Sequence, residues 1–293
     1  MAPNFPEQNP LKGTGRVPKI AVIGTASIDV IHSESDGARK TFHTIGGAGL
    51  YTALAAAAAG ARVTLLAPLP DRLSERFTKV ADMLNWKGPQ AREVDMPRLE
   101  IIHHGNGKAT LLNAAWGAES TLTPNEISGS LEEFDVVHIA ALSSAEKQRK
   151  FFEKLRPLGA KAISGGTYFK LTRDEPDTVR ELVRGCDYFF MNLNESQSLF
   201  PDGIMQELIG GTVFVTAGSE GCTIYDGTEI WKLPTIKVAE IDPTGAGDTF
   251  CGTALASICR GNDLTDAALG AMSQASLCVQ SPGPRFLLEK SKN

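Results

Sequence analysis

The sequence predicts an α/β fold, a doubly wound, mostly parallel sheet with a small β-lid. Strand-like apolar runs alternate with helix-like periodic runs from Lys19 to Met191, two extended segments interrupt that alternation, and a glycine-rich turn opens a helix near residue 245.

Along the chain, residues 1–17 (MAPNFPEQNPLKGTGRV) are polar and Pro-rich and lack the apolar stretch of a signal peptide. They read as a flexible lead-in to one domain over 18–293. Lys19–Gly24 is predicted as a strand, Ala48–Ala59 as an Ala-rich helix, Arg62–Ala67 as a strand and Asp71–Leu84 as an amphipathic helix. Asp135–Ala140, Ala160–Ser164 and Asp187–Met191 read as further strands, separated by helices over Ala145–Arg156 and Asp174–Arg184. Thr123-Pro124-Asn125-Glu126 combines an N-cap, a first-turn proline and a capping-box glutamate, and Ser143 with Glu146 repeats the box. Cys222–Lys232, with Asp226-Gly227 at its middle, reads as a β-hairpin. Two segments do not fit the alternation, at about 30–45 and 99–116, the second with a Gly105-Asn106-Gly107 turn. They are predicted to form the lid over the strand ends, where doubly wound folds bind their ligands.

Composition narrows the function classes. The chain has 29 basic and 34 acidic residues, a net charge of −5, and no Lys/Arg block, which argues against nucleic acid as a partner. The most apolar long stretch, residues 53–69, is broken by Gly60, Arg62 and Pro68 and does not suit a membrane span. Five cysteines without a C-x-x-C pair fit reduced core thiols better than a disulfide framework or a structural zinc site, and a cytoplasmic location is expected. Gly24-Thr25-Ala26-Ser27-Ile28-Asp29 holds one glycine where a dinucleotide fold needs G-x-G-x-x-G, and Gly107-Lys108-Ala109 lacks the hydroxyl residue of a P-loop. His103 and His104 are adjacent and His138 sits in an apolar strand, so no spaced zinc set emerges and His138 is expected to be a satisfied core residue.

The strongest chemical signal is Asp242-Pro243-Thr244-Gly245-Ala246-Gly247-Asp248, followed by a helical run over Cys251–Arg260. Gly245 and Gly247 allow close approach of a ligand to the backbone, and a helix start aims unpaired N–H groups at it, which makes an anion cradle. An aspartate beside such a cradle repels an anion, but it suits a reaction in which a hydroxyl loses its proton while attacking phosphorus. Asp248 is therefore expected to be a general base; a plain helix cap is the structural alternative.

These residues resemble the hallmark of the ribokinase-like (PfkB) family of carbohydrate and nucleoside kinases. Four further stretches match that family in order: Asp29, the Gly46-Gly47 turn before the Ala-rich helix, Asn192-Leu193-Asn194-Glu195, and Val215-Thr216-Ala217-Gly218-Ser219-Glu220-Gly221. The resemblance spans roughly residues 18–287 and implies a kinase that moves the γ-phosphoryl group of ATP, with Mg²⁺, onto a hydroxyl of a small sugar or polyol. A nucleoside kinase and a non-catalytic nucleotide-binding regulator are the alternatives.

By the same resemblance, Asp248 with Gly245, Ala246 and Gly247 forms the catalytic turn, and Asp29, Gly46, Gly47 and Tyr51 face the acceptor. Asn192, Thr216, Gly218, Gly221 and Gly283 line the nucleotide, Glu195 holds Mg²⁺ through water, and Asp242 is open to a monovalent cation such as K⁺. Two departures blur the acceptor. Tyr51 stands where sugar kinases of the family carry asparagine, and its ring either packs on a ligand or fills core space. Gly165-Gly166-Thr167-Tyr168 lacks the carboxylate that many relatives keep. His103, His104, Asn106, Asn113 and Trp116 on the lid either face the acceptor or sit on a wet strand face, and the lid's open edges allow a homodimer.

Overall fold

The computed structural model describes residues 15–35, 38–105, 108–204 and 209–289. Most of the predicted lead-in, and Asn106 and Gly107 of the predicted lid turn, lie outside them. The chain opens with β1 (Lys19–Ile23), β2 (Ser27–Ser35), β3 (Ala38–Gly46), α1 (Ala48–Ala58), β4 (Arg62–Leu66), β5 (Leu69–Pro70), α2 (Glu75–Met83), β6 (Asn85–Lys87), β7 (Gln90–Ala91), β8 (Arg98–Gly105) and β9 (Lys108–Ala115). It continues with β10 (Val136–Ile139), α3 (Ala145–Leu155), β11 (Ile163–Gly166), α4 (Phe169–Asp174), α5 (Pro176–Gly185), β12 (Tyr188–Asn192), α6 (Leu193–Leu199) and β13 (Thr212–Thr216). The last elements are the hairpin β14 (Cys222–Asp226) and β15 (Glu229–Leu233), then α7 (Ala246–Ile258), α8 (Leu264–Cys278) and α9 (Arg285–Glu289).

Among the described residues, nine strands form the main sheet in the order β15-β14-β13-β12-β11-β10-β1-β4-β6, parallel except for the hairpin. Strand alternation feeds both faces. Ile20 and Val22 of β1 join one core with Leu50, Phe250 and Leu255 of α1 and α7, while Ala21 and Ile23 join the other with Phe151 and Val183 of α3 and α5. The chain order reverses at β1, between β10 and β4, which marks the switch point where such sheets open a crevice at the strands' carboxyl ends. A second sheet, in the order β3-β2-β8-β9, is the predicted lid, and its strands begin earlier than expected, at Ser27 and Arg98. No helix of the described residues is long and apolar enough to cross a membrane.

Several local expectations are corrected. The helix predicted from Asp71 starts at Glu75, because the residues before it pair with β7 or lie in bends. The cap of α3 is Ser144, which accepts from the Lys147 amide at 3.1 Å, whereas Ser143 donates to the Glu119 carboxylate at 3.0 Å. Glu175 accepts from the Ala145 and Glu146 amides, so a side chain from the next helical unit caps α3 as well. That role leaves Glu175 outside α5, which starts on Pro176 rather than at Asp174. Thr123 makes no cap bond, and Pro124–Glu126 is a single 3₁₀ turn. The strand predicted over Ala160–Ser164 runs instead over Ile163–Gly166, in register with β12 through Gly165 opposite Phe189.

Candidate active site

Gly245 caps α7 with φ 74°, a left-handed conformation that glycine adopts without strain. Space demands glycine there too, since a Cβ on Gly245 would lie 2.3 Å from the ring of Tyr51. Gly247 is different. A Cβ there would meet nothing within 4 Å, so packing does not require the glycine, and its backbone faces open space. The first-turn amides of α7, those of Gly247 and Asp248 among them, have no intrahelical partner and point along the helix axis with its positive end.

Asp248 stands in that first turn and lines a pocket of about 250 Å³ at the carboxyl ends of β10 to β13. Asn192, Glu195, Thr216, Gly247 and Tyr168 share the lining. Burial pushes the Asp248 carboxyl up to about 7. Glu195 is pushed up to about 8, by burial first, with the Asp248 charge adding to it against the hydrogen bonds from Asn192. Those bonds form a capping box at the start of α6. The Asn192 side chain accepts from the Glu195 amide at 3.0 Å, and the Glu195 carboxylate accepts from the Asn192 amide at 2.8 Å and its side-chain nitrogen at 2.7 Å. Two carboxyls raised by burial beside a helix start, with the Asp248 charge raising Glu195 further, are a donor set that a hydrated divalent cation would relieve. No group of three or more His, Cys, Asp or Glu among the described residues could hold a metal alone. Asp248 and Glu195 would therefore meet a hydrated divalent cation as part of its surroundings, with phosphate oxygens and water supplying the rest.

Asp29 lies on β2 and is 1% exposed. Ser27 Oγ donates to its Oδ1 at 2.7 Å, while Oδ2 has no partner in the structure. A Cβ on Gly46 would fall 1.9 Å from that free oxygen, so the glycine makes room for the carboxylate. Burial raises the Asp29 carboxyl to about 7, Asp242 adding a smaller push. Gly47 has φ 99° and opens α1, and Ala48 after it lines the pocket.

The structure joins the expected residues into two sets. Asp248, Gly247, Asn192, Glu195 and Thr216 share the pocket. Asp29, Gly46 and Gly47 belong to the lid junction beside it, where Asp29, Asp242 and Asp248 all bear on the Tyr51 phenol. Gly218 and Gly221 form the turn between β13 and β14, and Gly283 packs against Thr44 of the lid. Tyr51 is corrected from the acceptor-facing set. It is 1% exposed, its ring fills core space under Gly245, and its hydroxyl has no partner. His138 is buried and neutral as expected, with Nδ1 2.9 Å from Ser164 Oγ and its pKa lowered to about 3 by burial. The five cysteines are free thiols.

Two residues gain a place that sequence reasoning did not give them. Tyr168 lines the pocket mouth and packs on the lid's Trp116, with ring centroids 6.3 Å apart and planes tilted 50°. His103 is neither acceptor-facing nor on a wet face. It is 3% exposed and bonds to Thr244. His104 and Asn113 lie exposed on the lid. A wider hollow of about 550 Å³ opens at the amino ends of β1, β4 and β6, around Lys19, Arg62 and Asn85, away from the glycine turn.

This geometry agrees with comparison to known proteins. Residues 17–291 match the family model described as pfkB family carbohydrate kinase. The chain belongs to the pfkB family of carbohydrate kinases. As a pfkB-family member it is a phosphotransferase with a hydroxyl acceptor. It is 28% identical to the cytidine kinase of Thermococcus kodakarensis over 84% of this chain and 91% of that one, and 24% identical to the ribokinase of Bacillus subtilis over 90% and 94%. Among solved structures it superposes on the nucleoside kinase of Methanocaldococcus jannaschii with TM-score 0.75 at 23% identity, covering 94% and 98% of the two chains. An E. coli protein described as a ribokinase II, solved with ATP and Mg²⁺, gives TM-score 0.72 at 19% identity, covering 94% and 98%. These two likenesses establish the fold.

Proposed function

We propose that this pfkB-family kinase transfers the γ-phosphoryl group of ATP, with Mg²⁺, to a hydroxyl of a small sugar or polyol. The observation that carries the reading is Asp248, a carboxyl raised to about 7 in the first turn of α7, beside a glycine that packing does not require. ATP supplies the phosphoryl group, and Mg²⁺ neutralises charge on its phosphate oxygens. Asp248 accepts the proton of the acceptor hydroxyl as that oxygen bonds to phosphorus and ADP leaves, and the α7 amides stabilise the transferred charge.

In this reading Asp29 holds acceptor hydroxyls through its unpartnered oxygen, Gly46 and Gly47 let the acceptor close to the backbone, and Thr216, Gly218, Gly221 and Gly283 flank the nucleotide. Asn192 fixes Glu195, which would hold the hydrated Mg²⁺ through water. The lid closes over the acceptor and excludes water, which limits futile hydrolysis of ATP. The open strand edges at β3 and β9 suit pairing of two lids in a dimer.

The unpartnered, buried carboxylate oxygen of Asp29 supports an acceptor that carries hydroxyl groups. A nucleoside is the second reading, favoured by the Trp116–Tyr168 pair, which offers a stacking surface at the pocket mouth. The test is ADP release with a panel of sugars, polyols and nucleosides. Turnover with a sugar or polyol supports the first reading, and turnover with nucleosides alone replaces it with the second. ATP binding without turnover on any acceptor favours a non-catalytic regulator.

A further inference from the structure

Asp242 precedes the catalytic turn and is almost fully buried, and its carboxylate is surrounded by donors. Oδ1 accepts from the Thr244 amide at 3.0 Å and lies 3.1 Å from His103 Nε2, and Oδ2 accepts from the Gly283 amide at 2.7 Å. Two of its four acceptor positions are thus taken by backbone N–H groups, and the His103 ring stands against Oδ1. Burial alone would push this carboxyl up, but the bonds from His103, Gly283 and Thr244 hold it below the ordinary carboxylate range. The monovalent cation expected at Asp242 does not fit this set. A cation needs converging oxygens, whereas the hydrogens here already point at the oxygens it would use.

His103 is the unusual donor. It comes from β8 of the lid, 141 residues away in sequence from Thr244, and its Nε2 lies 2.9 Å from Thr244 Oγ1. The same nitrogen thus stands against both the Thr244 hydroxyl and the Asp242 carboxylate. Successive strand side chains face opposite sides, so His103 is buried and His104 exposed. Thr44 of β3 touches Gly283 from the same sheet. The lid therefore sits on both segments that clasp Asp242.

We propose that His103 is a positioning residue that fixes the Asp242–Thr244 segment from the lid, in the place a monovalent cation would otherwise take. The anion-binding turn is then set when the lid sheet is seated, and turnover needs no K⁺. This rests on the kinase reading, because positioning is read out at the phosphoryl-binding turn.

The test compares wild type, His103→Gln and His103→Ala as full-length proteins. Glutamine keeps an N–H donor of similar reach and alanine removes it. One measurement is turnover with Mg²⁺-ATP and the acceptor found by the panel, in KCl and in choline chloride of equal ionic strength. The other is the rise in melting temperature on adding Mg²⁺-ATP, which needs no acceptor. The expected result is a wild type indifferent to K⁺ and an alanine variant whose kcat falls about tenfold to a hundredfold with little change in acceptor KM. Alanine is also expected to lose most of the ATP-induced melting shift, and glutamine to recover both readouts. A wild type activated by K⁺, an alanine variant like wild type, or a glutamine variant as impaired as alanine overturns the proposal. If wild type turns over no acceptor, the kinase reading fails in the first measurement, while the melting shifts still decide the role of His103.

Discussion

Gly245 rests on the ring of Tyr51 so closely that a Cβ on the glycine would lie 2.3 Å from the ring carbons. The turn that opens α7 is thus supported from below by a buried aromatic. Gly245→Ala is expected to destabilise the protein by about 1–3 kcal/mol through overpacking, with added strain from the left-handed φ, and to abolish turnover. Gly247→Ala is the control. With open space around it, this change leaves stability equal or raises it by about 0.5–1 kcal/mol, yet turnover still falls because the methyl enters the ligand's approach. Denaturant unfolding and kinetics on the two variants check the pair. A Gly247→Ala enzyme with full activity contradicts the cradle.

Tyr51 carries the unpartnered hydroxyl in a region already crowded with carboxylates. Tyr51→Phe removes a buried polar group whose desolvation costs about 1–3 kcal/mol and keeps the ring under Gly245. Its melting temperature is expected to equal or exceed that of wild type, with kcat retained. A clear loss of kcat would mean that the hydroxyl, not the ring, serves the site.

Three raised carboxyls set a pH dependence. Asp29 and Asp248 ionise near 3.8, and Glu195 near 4.5, when unperturbed, but near 7, 7 and 8 in the folded protein. Between those values the folded state holds more protons than the unfolded chain. Their contribution to stability is therefore complete below about pH 4 and is lost as pH rises through 7 to 8. Melting of the ligand-free protein should fall between about pH 5.5 and 8.5, and Glu195→Gln should flatten the slope. Turnover runs the other way, since Asp248 must be ionised to act, so kcat/KM should climb through about pH 7. A melting temperature that rises across this window would refute the assignment.

Glu195→Gln also separates cap from metal role. Glutamine still accepts from the Asn192 amide, so α6 keeps its start. The Mg²⁺ concentration for half-maximal turnover should rise about tenfold or more, while nucleotide binding without Mg²⁺ stays unchanged. An unaltered Mg²⁺ dependence removes Glu195 from the metal's surroundings.

The layered sheet and the glycine turn that opens α7 were legible because local chemistry decides them: apolar runs of strand length, and glycines before a helix with an aspartate in its first turn. Contacts between distant segments were not legible. Ser144 rather than Ser143 caps α3 because Glu119, 24 residues upstream, claims Ser143. Tyr51 reads from sequence as a possible stacking ring and becomes buried only because α7 folds against α1. His103 looked like one of an adjacent pair on a lid strand. Its bond to Thr244 depends on how the lid sheet sits against the turn, which no local pattern records.

The most direct measurement is turnover of Asp248→Asn beside its ATP affinity by calorimetry. Asparagine matches aspartate in size, but it cannot accept the acceptor's proton. The expected result is a loss of roughly 10²–10⁴-fold in kcat with ATP affinity almost unchanged. Near-normal turnover would contradict the assignment of Asp248 as the base.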